Sequence, residues 1–302
     1  ADNCFDLLHC EITQMAWAIP ASTSLPTTLN AHNVEAVIWA RLASRGSGPM
    51  KWIYRDQARK MKDFERQHLP RFDRIFPVSK VDEKFFLDHY GIHQTTVLPN
   101  GTNPSRIVCS PPPGNPPTVL YPAALDWRPA QDGAQFLVTR IHPIIRWMHP
   151  DVRTLIVGKS PPDWLRRLCR RTTGVQCHAD VLSMEPFFRE SHVVIVPLRV
   201  ASGSRIKILE SFGYHRPVVT TMIGAEGLDV IDGTHLVVAN DPAELAGATA
   251  ELLSDPGRRE ELVREANELV QDRYDWAGIS RIMARTWTDL VFTPCMKNGM
   301  AS

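Results

Sequence analysis

Short apolar runs alternate with longer amphipathic stretches along most of this chain, and that alternation restricts its fold more than any other feature. The clearest apolar run, residues 193–197, reads Val-Val-Ile-Val-Pro. A strand without alternating polar residues is typical of a parallel sheet that is buried on both faces. Amphipathic stretches with a period near 3.6 residues predict the helices that cover those faces. The pattern therefore predicts an α/β protein with parallel sheets.

A proline-rich segment divides the chain. Residues 110–117 read Ser-Pro-Pro-Pro-Gly-Asn-Pro-Pro, and prolines, which lack the N–H that a sheet needs, favour an extended linker. We predict a first domain over 1–109, a second over 118–275, and a carboxy-terminal helix with a tail over 276–302. A length of 302 residues fits two domains.

The first domain shows few strands before the linker. Apolar runs predict strands at 5–9, 75–78 and 95–98, and amphipathic stretches predict helices at 34–44, 52–69 and 80–90. An open doubly wound domain usually has about five or six strands. We therefore expect the first domain to be incomplete, and the chain to be a fragment or a naturally short variant.

The second domain shows the full alternation. Its predicted strands are 119–122, 154–157, 175–177, 193–197, 217–220 and 236–239. Its predicted helices are 129–148, 163–171, 205–214, 243–253 and 257–272, followed by the last helix at 276–290. We expect two doubly wound, Rossmann-like domains that face a cleft.

Composition excludes several classes of protein. The formal net charge is +1, with 43% hydrophobic and 22% charged residues, which disfavours a disordered chain or a nucleic-acid partner. The six cysteines are scattered without a CxxC pair, which argues against a zinc site and against a disulfide framework. We expect reduced thiols and a cytoplasmic protein.

Membrane contact is a separate question. No run reaches the roughly 18–20 apolar residues that a spanning helix needs. Four arginines in one predicted helix fit either contact with anionic lipid or an ordinary solvated helix face; they are Arg166, Arg167, Arg170 and Arg171. Peripheral contact with the inner face of a membrane is therefore one of two interpretations, and the oligomeric state is left open.

The segment that follows the apolar run at 193–197 carries the most chemistry. The small residues Ser202, Gly203 and Ser204 allow backbone N–H groups to approach an anion at the carboxyl end of a strand. Arg205 and Lys207 then add positive charge in the first turn of a helix, where the helix dipole disfavours it unless an anion lies opposite. The pattern predicts a phosphate site.

Glu210 lies further along the same predicted helix. A carboxylate there can accept hydrogen bonds from two vicinal hydroxyls, as it does with a ribose. The simpler interpretation is a surface ion pair between Arg205 and Glu210.

These residues also carry a resemblance. Residues 203–213, 216–221 and 224–228 closely resemble the donor site of family 4 retaining glycosyltransferases of the GT-B fold, in the bacterial branch associated with exopolysaccharide and cell-surface sugars. Supporting segments are 33–35, 64–66, 97–101, 125–127, 156–158 and 272–276. The resemblance implies a UDP- or GDP-type sugar donor, transfer with retention, a glycan or lipid-linked acceptor, and no resident cofactor or metal.

The match has two departures. In that family two glutamates bracket the loop; Glu210 matches the second, which binds the donor ribose, and Ser202 stands where the first would be. A phosphate-binding Arg and Lys are also missing after the first strand of the second domain, where Arg128 is the nearest substitute. Arg205 and Lys207 are therefore the preferred charges for the leaving diphosphate.

Four more residues are candidates. Gly158, after the strand at 154–157, resembles the glycine that lets the nucleotide approach the sheet, with a simple turn as the alternative. Glu226 is a second donor candidate or a helix-capping carboxylate. In the first domain, Glu11 and His32 are catalytic candidates that would orient an acceptor hydroxyl, with a cap or a satisfied core group as the alternative.

The leading hypothesis is a retaining glycosyltransferase for surface polysaccharide assembly. The main alternative is a catalytically inactive module that binds a nucleotide sugar or a partner. A third interpretation, a nucleotide-sugar epimerase, would need acids across the cleft, for which Glu11, Glu35 and Glu65 are the candidates.

Overall fold

The computed structural model describes residues 5–20, 22–103, 114–203 and 205–292. The predicted linker residues 110–113, Ser204 and the end of the predicted tail lie outside the described residues. The described chain separates into two compact units. The first contains residues 5–100, 202–203 and 276–292, and the second contains 101–201 and 205–275, apart from the gaps already given.

The first unit has a three-stranded parallel sheet in the order β1-β2-β3. The strands are β1 (Leu8–Cys10), β2 (Thr27–Ala31) and β3 (Arg74–Pro77), and a 3-10 helix (Thr13–Ala18) follows β1. The helices are α1 (Glu35–Arg45), α2 (Gly48–His68), α3 (Lys80–Tyr90) and, at the end of the chain, α12 (Trp276–Phe292). Leu29, Ile75 and Phe86 are fully buried in its core.

Two predictions for this sheet need correction. The sequence analysis missed β2, and the predicted strand at 95–98 makes only one bridge, between Ile75 and Thr95. Ile75 N–H donates to the Gln94 carbonyl and Thr96 N–H donates to the Ile75 carbonyl. At the next rung Leu98 N–H still donates to the Pro77 carbonyl at 2.8 Å, but proline has no N–H to complete the pair, so no second bridge forms.

Glu65 on α2 is a buried carboxylate with a structural task. Its side chain is fully enclosed, and it accepts hydrogen bonds from the Glu35 N–H at 2.8 Å and from the Tyr90 hydroxyl at 2.6 Å. Since Glu35 opens α1, Glu65 satisfies an otherwise unpaired amide at that helix start. Burial nevertheless raises the pKa of Glu65 to about 7. The epimerase interpretation requires a catalytic acid, and Glu65, with this capping role, does not fit that requirement.

The second unit has a six-stranded parallel sheet in the order β6-β5-β4-β7-β8-β9. The strands are β4 (Thr118–Pro122), β5 (Arg153–Gly158), β6 (Val175–Ala179), β7 (Val193–Val196), β8 (Val218–Thr220) and β9 (Val237–Val238). The chain builds outward from β4 to β6 and then returns to the other side of β4. This is the doubly wound order, and its switch point lies between β4 and β7.

Helices cover both faces of this sheet. They are α4 (Arg128–Phe136), α5 (His142–Met148), α6 (Asp163–Arg171), α7 (Glu185–Glu190), α8 (Ile206–Gly213), α9 (Met222–Ala225), α10 (Pro242–Ser254) and α11 (Pro256–Arg273). Val193 and Ile195 pack into one apolar cluster and Val194 and Val196 into another. The prediction of a strand buried on both faces is therefore confirmed.

Most predicted elements of the second unit are present. The predicted helix 129–148 is continuous, with a π-helical turn (Leu137–Ile141) between α4 and α5. The short helices α7 and α9 were not predicted, because four to six residues are too few to show a helical period. In the part of the chain that the structure describes, no helix is both long enough and apolar enough to cross a membrane.

Candidate active site

A cavity of about 470 Å³ opens at the carboxyl ends of β4 and β5 in the second unit. Its walls come from the ends of these strands, from the segment after β6 and from α8. The lining residues are Pro122, Ala123, Ala124, Val157, Gly158, Lys159, Asp180, Val181, Leu182, Ser183, Met184, Lys207 and Glu210. Open parallel sheets bind their ligands at this edge, so the position alone makes the cavity a candidate site.

Gly158 closes the floor of the cavity. It is the last residue of β5, and a Cβ atom placed on it would overlap the carbonyl oxygen of Ala123, at the end of β4. The two strand ends therefore approach each other more closely than any side chain permits. Because glycine has no side chain, a ligand in the cavity can also approach the backbone at this position.

Lys207 and Glu210 both face this cavity from α8. Their spacing of three residues places them on one side of the helix. The Lys207 ammonium lies 5.3 Å from the ring centroid of Tyr121, a buried residue of β4. The cavity thus combines one cation and one carboxylate that share a helix face.

The environment changes the pKa of both groups. Burial and the neighbouring positive charge of Arg205 lower the pKa of Lys207 to about 8, against the opposing effect of Glu210. Burial raises the pKa of Glu210, and Lys207 partly offsets this. A desolvated cation that faces a cavity is well suited to bind an anion, because little water must be removed when the anion arrives.

The other donor candidates lie elsewhere. Arg205 is buried and donates from its guanidinium to the Ile223 carbonyl at 3.0 Å, outside the cavity lining. Glu226 follows α9 directly and donates its N–H to the Met222 carbonyl, also outside the lining. Arg128, the proposed substitute for the missing phosphate clamp, begins α4, is exposed and is not among the lining residues.

Ser202 and Gly203 belong to the first unit. The Ser202 hydroxyl accepts a hydrogen bond from the Val34 N–H at 3.1 Å, at the start of α1. Gly203 has a φ of 74°, and a Cβ atom on it would overlap the His32 carbonyl oxygen. A glycine is therefore required at this position for packing as well as for its backbone conformation.

Glu11 and His32 form a cluster at the carboxyl ends of β1 and β2. Glu11 contacts His9 Nε2 at 2.9 Å through one carboxylate oxygen and His32 Nε2 at 3.1 Å through the other. His9 Nδ1 lies 2.8 Å from the Thr28 hydroxyl. Partial burial raises the pKa of Glu11, but hydrogen bonds from His9, Asn30 and His32 outweigh this and lower it overall. The structure thus brings the two catalytic candidates, Glu11 and His32, into direct contact, with the Glu11 carboxylate ionised.

Sequence reasoning missed Lys159 and the segment after β6. Lys159 lies 3.7 Å from Asp126 and lines the cavity. Asp180 has a φ of 52° and accepts a hydrogen bond from the Ser160 N–H at 2.8 Å, which ties the two loops together. Both residues lie within three positions of the end of a predicted strand, so the rule that strand ends share one edge could have identified them. Among the described residues, no group of three or more His, Cys, Asp or Glu side chains is arranged to hold a metal.

The two units are α/β structures with parallel sheets, and this architecture matches known structures of the GT-B class. Sucrose-phosphate synthase from Thermosynechococcus elongatus superposes with a TM-score of 0.76 at 21% identity, over 95% of this chain and 74% of that one. The Anabaena protein HepE, solved in complex with UDP-glucose, gives 0.73 at 16% identity, over 94% and 79%. The predicted fold class is confirmed.

The sequence comparisons agree with the fold. Residues 116–255 match the family model described as glycosyl transferases group 1. Glycogen synthase of Mycobacterium tuberculosis is 25% identical over 83% of this chain and 62% of its own length. This chain therefore spans about 62% of the curated relatives that it matches first. Apart from residues 202–203, the described residues that match the family model lie within the second unit.

Proposed function

We propose that this chain binds a nucleotide diphosphate sugar in its second unit and transfers the sugar, with retention, to a carbohydrate or lipid-linked acceptor in surface polysaccharide assembly. The observation that carries the proposal is the cavity at the ends of β4 and β5, which Lys207 and Glu210 face from one side of α8. A cation for a diphosphate and a carboxylate for vicinal hydroxyls are the two groups that such a donor requires.

The shape and chemistry of the cavity support this assignment. Gly158 lets a ligand approach the sheet backbone, and Lys159 adds a second cation near the opening. Leu182 exposes its whole side chain beside the cavity, and a planar base would cover it. HepE, which shares the fold, was solved with UDP-glucose. We propose a UDP- or GDP-type donor that is held without a resident metal or cofactor.

In the proposed reaction, the bond between the anomeric carbon and the diphosphate oxygen breaks while the acceptor hydroxyl oxygen bonds to that carbon on the same face, and the hydroxyl proton passes to the departing diphosphate. Negative charge grows on the departing diphosphate, and Lys207 stabilises it because the ammonium is fixed and poorly solvated. Glu11 and His32 are proposed to orient the acceptor hydroxyl, since Glu11 holds His32 by its Nε2 atom. We place the reaction in the cytoplasm or at the inner face of the membrane.

Nucleotide titration tests the donor site. UDP, GDP and UDP-glucose are added separately to the wild-type chain, and binding is followed by calorimetry and by thermal melting. One of these ligands is expected to bind and to raise the melting temperature. Lys207→Met and Glu210→Gln should each weaken that binding by about tenfold to a hundredfold, because each removes a charge-assisted contact.

Matched controls separate binding from general damage. Lys84→Met and Glu261→Gln remove the same groups from exposed side chains with i,i+4 and i,i+3 partners, and they should bind like the wild type. Addition of a chelator should leave binding unchanged. If none of the three nucleotides binds to the wild-type chain, or if the site variants bind as well as their controls, the donor assignment is wrong.

The binding of UDP-glucose should also depend on pH. Because the pKa of Lys207 is about 8, this side chain loses its positive charge in the free site as the pH rises above that value. Affinity should then fall by up to about tenfold for each pH unit. Lys207→Arg should bind with little change between neutral and mildly alkaline pH, because a guanidinium stays protonated. A wild-type curve as flat as that of Lys207→Arg would contradict this role for Lys207.

A binding module without catalytic activity is the second candidate. It is favoured by one observation: Ser202 stands where the resembled family has a glutamate, and its hydroxyl is engaged by the Val34 N–H. This candidate predicts donor binding without release of free nucleotide. Product analysis with a panel of lipid-linked and oligosaccharide acceptors distinguishes the two, because turnover at any of them requires the enzyme.

A further inference from the structure

The turn between α1 and α2 exposes an unusual amount of apolar surface. We define the α1–α2 tip as residues 41–60, which includes the end of α1, the connection at Gly46 and Ser47, and the start of α2. A stretch of four residues inside this tip carries three exposed apolar side chains. Met50, Trp52 and Ile53 are 40%, 70% and 49% exposed. Isolated exposed apolar residues are ordinary, but three within four positions at a helix start indicate a contact surface.

The same tip is strongly basic. It contains six Lys or Arg residues and a single carboxylate, in a chain whose formal net charge is only +1. The six are Arg41, Arg45, Lys51, Arg55, Arg59 and Lys60. The carboxylate, Asp56, contacts Arg59 at 3.0 Å and Lys60 at 2.7 Å. The twenty-residue segment that carries the exposed apolar group therefore has five net positive charges.

One contact links the charge to the apolar group. The Arg55 guanidinium carbon lies 5.4 Å from the ring centroid of Trp52. This cation–π arrangement keeps the indole beside a positive charge at the surface. The ring centroids of Trp39 on α1 and Tyr54 on α2 lie 6.1 Å apart. This aromatic contact packs the two helices of the tip against each other.

We propose that the α1–α2 tip is a docking surface for an anionic lipid bilayer. Tryptophan prefers the boundary between headgroups and acyl chains, where Trp52 would lie with Met50 and Ile53 inserted beside it. The surrounding Lys and Arg side chains would contact the negative headgroups. A nucleic acid fits less well, because its phosphates would satisfy the cations and leave the exposed aliphatic side chains in water.

This location differs from the one that the sequence indicated. The four arginines at 166–171 belong to α6, where the largest exposed apolar residue, Trp164, is only 38% exposed. That helix provides charge with little apolar surface to insert. The α1–α2 tip provides both, and the proposal does not depend on the identity of the donor.

Vesicle flotation tests the proposal. The full chain is mixed with vesicles of phosphatidylcholine alone, or of equal parts phosphatidylcholine and phosphatidylglycerol, and floated on a density gradient. The anionic vesicles should bind the wild-type chain at least about tenfold more tightly than the neutral ones. High salt should weaken this binding. The double variant Trp52→Ser/Ile53→Ser and the variant Lys51→Glu/Arg55→Glu should each lose most of it.

Controls of the same chemistry lie on the second unit. Trp147, on α5, is 83% exposed, and Trp147→Ser should leave flotation unchanged. Arg167→Glu/Arg170→Glu removes charge from α6 and should also have little effect. Circular dichroism and urea unfolding confirm that each variant is folded.

Three outcomes would overturn the proposal. The first is equal flotation of the wild-type chain and the two tip variants. The second is loss of flotation in the α6 variant alone. The third is binding of a DNA or RNA fragment that is lost in the Lys51→Glu/Arg55→Glu variant while vesicles are ignored. Failure of nucleotide binding would leave this test unaffected, because the two surfaces use different residues.

Discussion

Gly158→Ala is expected to destabilise the second unit by about 3 kcal/mol or more and to abolish nucleotide binding. The added Cβ atom would overlap the Ala123 carbonyl oxygen, and neither group belongs to a side chain that can rotate away. The ends of β4 and β5 would have to separate, which breaks the hydrogen bond from Ala123 N–H to the Val157 carbonyl. Those strand ends also form the cavity floor, so stability and binding should be lost together.

Urea unfolding followed by circular dichroism measures the first effect, and calorimetric titration with UDP-glucose measures the second. Gly247→Ala is the matched control. Gly247 lies within α10, and a Cβ atom there would meet nothing within 4 Å. Because alanine favours helix, the control should gain about 0.5–1 kcal/mol. Equal stability of Gly158→Ala and the wild type would show that the two strand ends are not packed as described.

Glu65 should make the first unit less stable as the pH rises. The pKa of this buried carboxyl is about 7 in the folded chain, against an ordinary value of 4.5. Between these values the folded state holds the proton and the unfolded state has released it. The free energy of unfolding should therefore fall with increasing pH, by up to about 3 kcal/mol in total from this group. The contribution is fully present below the lower value and lost above the upper one.

The measurement is a difference between two proteins. Urea unfolding of the wild type and of Glu65→Gln is compared across this pH range, since the amide keeps an oxygen for the Glu35 N–H but cannot ionise. The decline should be absent in Glu65→Gln and retained in Glu251→Gln, which removes an exposed carboxylate from α10. Parallel curves for the wild type and Glu65→Gln would refute a proton-linked role for this group.

The sequence predicts the second unit better than the first. The apolar run at 193–197 must be buried on both faces, and β7 is buried on both faces, because such a run has no other stable environment. In the first unit, β2 reads Thr-Thr-Leu-Asn-Ala. Its threonines are buried by their neighbours in the sheet rather than by their own hydrophobicity, so a pattern based on apolar residues does not detect it.

The candidate site shows the same division. Lys207 and Glu210 could be predicted because they share one helix, and helical spacing fixes which residues point together. The segment from Asp180 to Met184, which was not predicted, follows β6, and only the strand order brings it to the same cavity. Arg205 remains a predicted phosphate ligand, and its hydrogen bond to the Ile223 carbonyl is a tertiary contact that the sequence did not predict. A local sequence pattern predicts which residues share one face of a helix. Which residues from distant parts of the chain meet at one site depends on the strand order.

The strand that leads to Asp180 lies at one end of its sheet. β6 pairs with β5 alone among the described strands, so the turn that follows it contacts the cavity without supporting a central strand. Insertions and substitutions in that turn would disturb few neighbours in the sheet. If the proposed donor site is correct, we expect changes in donor preference to accumulate in that turn during evolution, and Lys207 and Glu210 on α8 to vary less.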